Sequence, residues 1–274
     1  MLTDLPNLLT LSRIAAIPAL VALALAGQAQ AARRRRRIKP PDPRAGGFRV
    51  VTANLLGGNR RITELGRQLL ADAADVVVVQ EFTSDHADGL REAGLPVAMP
   101  HQVLDPQPGF QGSALYSRWP ITDAGVFDVL GAGMAAATVH GPIGAVQVIA
   151  VHVVNPARAS MPALWRAQLT WLAEHVRRSA VPVVLAGDFN ATMAHRGLRV
   201  LPAAGLVDAH DAAGRGLGLT WPRRSFRGAG RWPALPLMRL DHVFVPATLG
   251  VRAVRAAASA GSDHRRVIAD LVRT

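Results

Sequence analysis

The stretch Val183–Asn190, VVLAGDFN, constrains the fold of this chain more than any other. Its apolar residues run unbroken and stop abruptly at Gly187, Asp188, Phe189 and Asn190. A short apolar run bounded by glycine reads as a buried strand. The carboxylate and the amide are then delivered at the C-terminal edge of that strand, where α/β sheets keep their chemistry. A strand closed by an Asx-type turn is the plainer reading of an isolated D-x-N, so the rest of the chain has to decide.

Further stretches share the pattern of a strand ending on a polar residue. Phe48–Asn54 ends on Asn54, Val76–Gln80 runs into Glu81, and Ala145–His152 ends on His152. Gly112–Ser117, Leu240–Val245, Val251–Ala257 and Val267–Leu271 also read as strands, the last entered through the turn Gly261–His264. Helices are expected over Arg61–Ala73, over Met161–Ser179 and near His195–Leu201. In the second of these, Leu164, Trp165, Leu169, Leu172 and Val176 recur at helical spacing and should cover one sheet face. No internal repeat is visible at the residue level.

The first 47 residues are of another kind. Leu5–Gly27 is mostly apolar but is interrupted by Arg13 and Pro18, and Ile14–Ala26 is shorter than the about 20 residues a spanning helix needs. Three readings stay open for residues 1–31: a marginal membrane helix, an interfacial helix, or a signal sequence with Ala29 and Ala31 in an A-x-A pattern. The basic run Arg33–Arg37 disfavours export and suits anionic headgroups, so membrane association is expected first and export second. Lys39–Gly47, with three prolines and two glycines, closes a linker over 32–47, and a single catalytic domain is expected over 48–274.

Composition adds little. The formal charge of +12 is carried almost wholly by arginine, Lys39 being the only lysine. Arginine suits bidentate phosphate recognition, but the bias equally reflects genome composition. The absence of cysteine excludes disulfides and thiolate metal sites.

Collected, the strand ends offer Asn54, Glu81, His152, Asp188, Asn190, Asp241, Asp263 and His264. In the order TAN, QE, GSALYSRWP, VH, GDFN, TWP, LDHVF and SDH, the chain from Phe48 onward resembles the exonuclease/endonuclease/phosphatase family of deoxyribonuclease I-like enzymes, in particular bacterial, often membrane-tethered members. The N-terminal words PNLLTLSRIAAIPAL resemble the opening helix of CDP-alcohol phosphatidyltransferases. Nothing later resembles that family's repeated-aspartate motif, so its activity is not implied. The first resemblance implies an α/β, four-layer sandwich of two packed β-sheets flanked by helices, with the site at one end.

Hydrolysis of a phosphodiester needs charge neutralised, a water made nucleophilic and a leaving oxygen stabilised. Glu81 and Asp263 are hard ligands suited to Mg²⁺ or Mn²⁺, with Asn54 as neutral ligand or orienting group. His264, oriented by Asp241, can be general base or phosphate contact. Asp188 and Asn190 would position the attacking water and a phosphoryl oxygen, and Asp188 rivals His264 as base. His152 matches the family's general-acid position. Many relatives carry a second polar residue two positions after the first Asn, where this chain has Leu56. His140, His175 and His242 read as surface or strand-edge residues, and Trp221 either stacks on a base or plugs the core.

The expected activity is metal-dependent phosphate-ester hydrolysis, of nuclease type, by a monomer. A lipid phosphodiesterase or phosphatase is the first alternative. A non-catalytic membrane-attached binding domain is the alternative of another class, and the complete acid, base and metal set argues against it. The segment from Trp221 to Asp241 holds Arg223, Arg224, Arg227, Arg231 and Arg239, which could track a nucleic-acid backbone and favour nucleic acid over a lipid headgroup.

Overall fold

The computed structural model describes residues 46–213, 216–222 and 236–274. The N-terminal expectations fall outside these residues, as do those for Arg223, Arg224, Arg227 and Arg231. Among the described residues no helix is long and apolar enough to cross a membrane.

Among the described residues twelve strands form two six-stranded sheets. The first has the order β11(Leu249–Ala258), β12(Arg265–Arg273), β1(Phe48–Asn54), β2(Val76–Gln80), β4(Ser113–Ser117) and β3(His101–Asp105). The second has the order β5(Ile121–Asp128), β6(Gly133–Gly141), β7(Gly144–His152), β8(Val183–Asp188), β10(Asp241–Pro246) and β9(Leu206–Asp208). The layouts are the same. In each sheet one central pair is parallel, β1 with β2 and β7 with β8, and every other pairing is antiparallel. A parallel pair needs a crossover, supplied by helix α1(Ile62–Ala71) in the first sheet. Beyond β2 come α2(Ser84–Glu92) and the short α3(Leu95–Ala98), and the second crossover is α4(Pro162–Arg178). A 3₁₀ turn over Arg196–Arg199 leads into α5(Val200–Ala203), and α6(Ala209–Ala213) follows β9.

The two-residue period of a strand explains the layers. Val50 on β1, Val76 and Val78 on β2, Val148 and Ala150 on β7, Val184 and Ala186 on β8, and Val243 and Val245 on β10 are buried in one cluster between the sheets. The alternate residues face outward. Val51, Ala53, Val77 and Val79 pack with Ile62, Leu65 and Leu69 of α1, while Ile149, Val151 and Leu185 pack with Trp165, Leu169 and Leu172 of α4. Helices, sheet, sheet and helices make the four layers that the family resemblance implies. Each fully buried valine contributes about 1.5–3 kcal/mol relative to leaving it exposed.

The same period carries the polar residues. Asn54 and Gln80 continue the inner-face series of β1 and β2. His152 and Asp188 continue those of β7 and β8, and Asp241 begins that of β10. The inner face is thus apolar through its middle and turns polar at one end, where both parallel pairs terminate. Gly187 is required there because a Cβ would lie 1.9 Å from the Val151 carbonyl oxygen of the adjacent strand.

The elements found near the expected ones differ by only a few residues at their ends. Strands β3, β5, β6 and β9 and helices α2, α3 and α6 had no expectation. The sheets' shared layout is a structural repeat that leaves no trace in the residues.

Candidate active site

Asp188 is the hub. It is buried, and its register partners are His152 on β7 and Asp241 on β10. Its Oδ1 accepts the Asn190 N–H at 2.8 Å, an Asx turn that sets Asn190 at φ +48° and lets the Asn190 amide donate to the Val153 carbonyl. Its Oδ2 accepts from Asn54 Nδ2 at 3.2 Å across the sheet interface. His264 Nε2 and His152 Nε2 stand 3.8 and 4.0 Å from this same oxygen. Both gaps are too long for a direct hydrogen bond and leave room for a bridging oxygen.

His264 is positioned from its other ring nitrogen. Nδ1 lies 2.9 Å from Asp241 Oδ2, so the proton is held on Nδ1 and the ring is aimed at Asp188. Burial works against charge on this imidazole, but Asp241 and Asp188 outweigh it and push the group up to about 10. These two carboxylates thus favour the charged form of His264. Asp188 moves in the opposite functional sense, because burial raises its carboxyl above the usual range even though His264 favours its ionised form. The arrangement places both candidates for the base role, Asp188 and His264, side by side at the end of the sheets.

Asn54 links the sheets. Its Nδ2 also donates to Glu81 Oε1 at 3.0 Å, and its Oδ1 accepts the Leu56 N–H at 3.0 Å. Both polar atoms of Asn54 thus hold neighbours in place, which suits an orienting group, and Oδ1 keeps a second lone pair that a neutral ligand would use. Leu56 takes part through its backbone at φ +65°, and Gly57 N–H donates to Glu81 Oε2 at 2.8 Å. Glu81 adopts φ +57°, a conformation costly for a side chain of this size, and its carboxylate reaches the cleft.

Asp263 faces the same cleft, and its Oδ2 accepts the Trp221 indole N–H at 3.1 Å. Trp221 lines the cleft, and its N–H edge is engaged. It orients a carboxylate, with its ring 6.4 Å from that of His264. Glu81 and Asp263 offer hard oxygens with lone pairs that the surrounding N–H groups do not exhaust, a donor set that fits a hard divalent cation. A second set, Asp188, Asp241 and His264, brings its ligand atoms within 4.8 Å of one another, and Asp241 Oδ1 is buried without a hydrogen-bond partner among the described residues. Within this second set Asp241 is hydrogen-bonded to His264, while Asp188 stands 3.8 Å from the other ring nitrogen.

Several supporting residues went unread. Thr220 Oγ1 accepts the N–H groups of Leu240 and Asp241, and Ser262 Oγ donates to the Asn54 carbonyl while accepting the His264 N–H. Gln168 of α4 is buried, accepting from Val154 N–H and donating to the Val129 carbonyl, which ties two cleft loops to one helix. Thr220 in TWP and Ser262 in SDH belonged to the quoted motifs; Gln168 carried no signal beyond its place on the apolar helix face.

Two expectations are corrected. Arg239 is not a loop cation open to solvent. It is buried, 3.0 Å from Asp208 and 2.8 Å from Asp211, and so cannot track a nucleic-acid backbone. His242 is not a surface or edge residue: it is fully buried between Asp208 Oδ2 at 2.6 Å and the Ala191 carbonyl at 2.9 Å. Burial opposes the charge of Asp208, but Arg239 and His242 hold its carboxyl well below the ordinary range. His140 is exposed on β6, and His175 is half-buried against Gln147.

These groups open onto a cleft of about 900 Å³ whose lining includes Glu81, His152, Asp188, Asn190, Asp263 and His264 at one end. The fold and this acid–base set define a phosphoric-ester hydrolase. The Endonuclease/Exonuclease/phosphatase family model matches residues 51–264, and the chain belongs to that family. No curated protein is significantly similar in sequence.

Among solved structures, it is similar to a D. rerio TDP2 complexed with single-strand DNA product, at 13% identity and TM-score 0.68 over 82% of this chain and 99% of that one. The 3′-5′ exonuclease NExo of Neisseria meningitidis matches at 23% identity and TM-score 0.62, over 81% and 98%. A mannosyl-6-phosphatase of Bacteroides thetaiotaomicron matches at 17% identity and TM-score 0.66, over 82% and 99%.

Proposed function

We propose that this protein is a Mg²⁺- or Mn²⁺-dependent phosphodiesterase of nuclease type. One observation carries the reading: two histidines, one at the end of β7 and one in the turn before β12, converge on Asp188 Oδ2 at distances that leave room for a reacting oxygen. Glu81 and Asp263 would hold the cation, which when bound neutralises phosphoryl charge and stabilises the leaving oxygen. His264, charged and held by Asp241, presents Nε2–H to a phosphoryl oxygen. Asp188 accepts the proton of the attacking water at Oδ2, and Asn190 fixes the orientation of that carboxylate through its backbone N–H. His152 Nε2 delivers a proton to the leaving oxygen. The N-terminal segment would hold the catalytic domain at a membrane surface.

The test is hydrolysis of bis(4-nitrophenyl) phosphate and of oligonucleotides by purified protein with Mg²⁺ or Mn²⁺. Parent activity on both, with a loss of about 10³-fold or more in Asp188→Asn, is the expected result. A second reading, a lipid phosphodiesterase, is supported by the apolar side chains Phe110, Leu130, Met161 and Leu164 that also line the cleft. Release of headgroup from phospholipid vesicles with no cleavage of oligonucleotides would favour it.

A further inference from the structure

The cleft continues past the acid–base set to the start of α4, where two polar side chains, His195 and Arg158, have no part in the chemistry above. Nδ1 of His195 lies 3.1 Å from the Thr192 backbone N–H and 3.2 Å from Thr192 Oγ1. A backbone N–H can only donate, so Nδ1 presents its lone pair and the proton of the neutral ring sits on Nε2. The Thr192 carbonyl is also 3.2 Å from Nδ1, but a proton aimed at it would confront the N–H of the same residue. Ring orientation is set by Trp165, whose indole meets His195 at a 68° interplanar angle and is itself anchored by a 3.1 Å bond from Nε1 to the Phe189 carbonyl. Nε2 has no hydrogen-bond partner among the described residues.

Arg158 lines the same cleft, from the loop that leads into α4. Its carbonyl accepts the Met161 N–H at 3.0 Å, and the Met161 carbonyl accepts the Trp165 N–H at 2.8 Å. Its guanidinium lies 5.5 Å from the centre of the half-exposed Phe110 ring and makes no ion pair with any described residue. A guanidinium over an aromatic face keeps its N–H edge free for oxygen acceptors.

A neutral donor and a cation, both without acceptors among the described residues and both in the cleft that holds the acid–base set, match an anion rich in oxygen. We propose that His195 and Arg158 form a subsite for a second phosphate, one linkage from the scissile one in a polymeric phosphodiester. This rests on the nuclease reading, because a simple diester has no second phosphate to place.

The test compares the parent, His195→Ala, His195→Gln and Arg158→Gln on dTpdTpdT, dTpdT and bis(4-nitrophenyl) phosphate. Each of His195→Ala and Arg158→Gln should lower the ratio of kcat/KM for dTpdTpdT over dTpdT about tenfold, expressed in KM, as expected for loss of one charge-assisted hydrogen bond. His195→Gln, which keeps an N–H donor, should recover part of the ratio. An unchanged ratio in both variants, or an equal loss on all three substrates, overturns the subsite. If the parent cuts bis(4-nitrophenyl) phosphate but neither nucleotide, the nuclease reading itself has failed, and the subsite falls with it.

Discussion

Asn54, at the end of β1 in one sheet, and Asp188, at the end of β8 in the other, are joined by a 3.2 Å hydrogen bond across the interface between the sheets. Because the same Asn54 amide also holds Glu81, the proposed proton acceptor and the proposed metal ligand share one positioning group. Asn54→Ala should therefore lower kcat by about 10²-fold or more and weaken metal binding together, at a stability cost of about 1–3 kcal/mol for the buried acceptors left unpaired. Steady-state kinetics, metal titration and urea denaturation measure the three effects, and a loss confined to stability would remove the shared role.

Acid and phosphate contact are separable by leaving group. His152→Ala should slow esters with poor alkoxide leaving groups far more than activated nitrophenyl esters, since only the former need a proton on departure. His264→Ala should slow both kinds, because a phosphoryl oxygen is contacted whichever group leaves. Equal losses on the two substrate types for His152→Ala would exclude its acid role.

Chelation should abolish turnover, and added Mg²⁺ or Mn²⁺ should restore it. Glu81→Ala and Asp263→Ala should each weaken cation affinity measured by calorimetry in the absence of substrate, with the circular dichroism spectrum retained. Full activity of Glu81→Ala in chelator would sink the assignment.

Asp208 gives the fold an acid limit. Its carboxyl is depressed in the folded state, so its stabilising contribution is complete above the unfolded-state value near ~3.9 and is lost as pH falls below that toward the folded value. Urea denaturation of the parent should show stability falling through this window. Asp208→Asn, lower in stability at neutral pH for leaving Arg239 and His242 short of a partner, should show a shallower fall. A parallel pH dependence in the two proteins would contradict the depressed carboxyl.

The full chain should sediment with vesicles containing anionic lipid, and replacing Arg33–Arg37 by glutamine should weaken this, each basic residue near the surface contributing about 1 kcal/mol. Full-length protein that ignores such vesicles and stays monomeric without detergent would contradict a membrane anchor.

The sequence by itself determined the strands that carry the site. Local composition suffices where an apolar run ends at a fixed polar residue, because strand period and chain order place that residue at a sheet edge whatever the tertiary partners are. Strands such as β5, with its half-exposed surface, and β9, of three residues, carry no such run, since their place is set by pairing with a neighbour. For the same reason the charge on Arg239 read as open to solvent. Its partners, Asp208 and Asp211, lie 31 and 28 residues away in sequence and reach it only through the β9–β10 pairing. His242, one position from Asp241 on the same strand, points to the opposite face and into that buried network, a distinction that needs the register. His195 and Arg158 had no motif at all. Only the tertiary fold brings these two separate loops to one cleft, with Trp165 packed against His195.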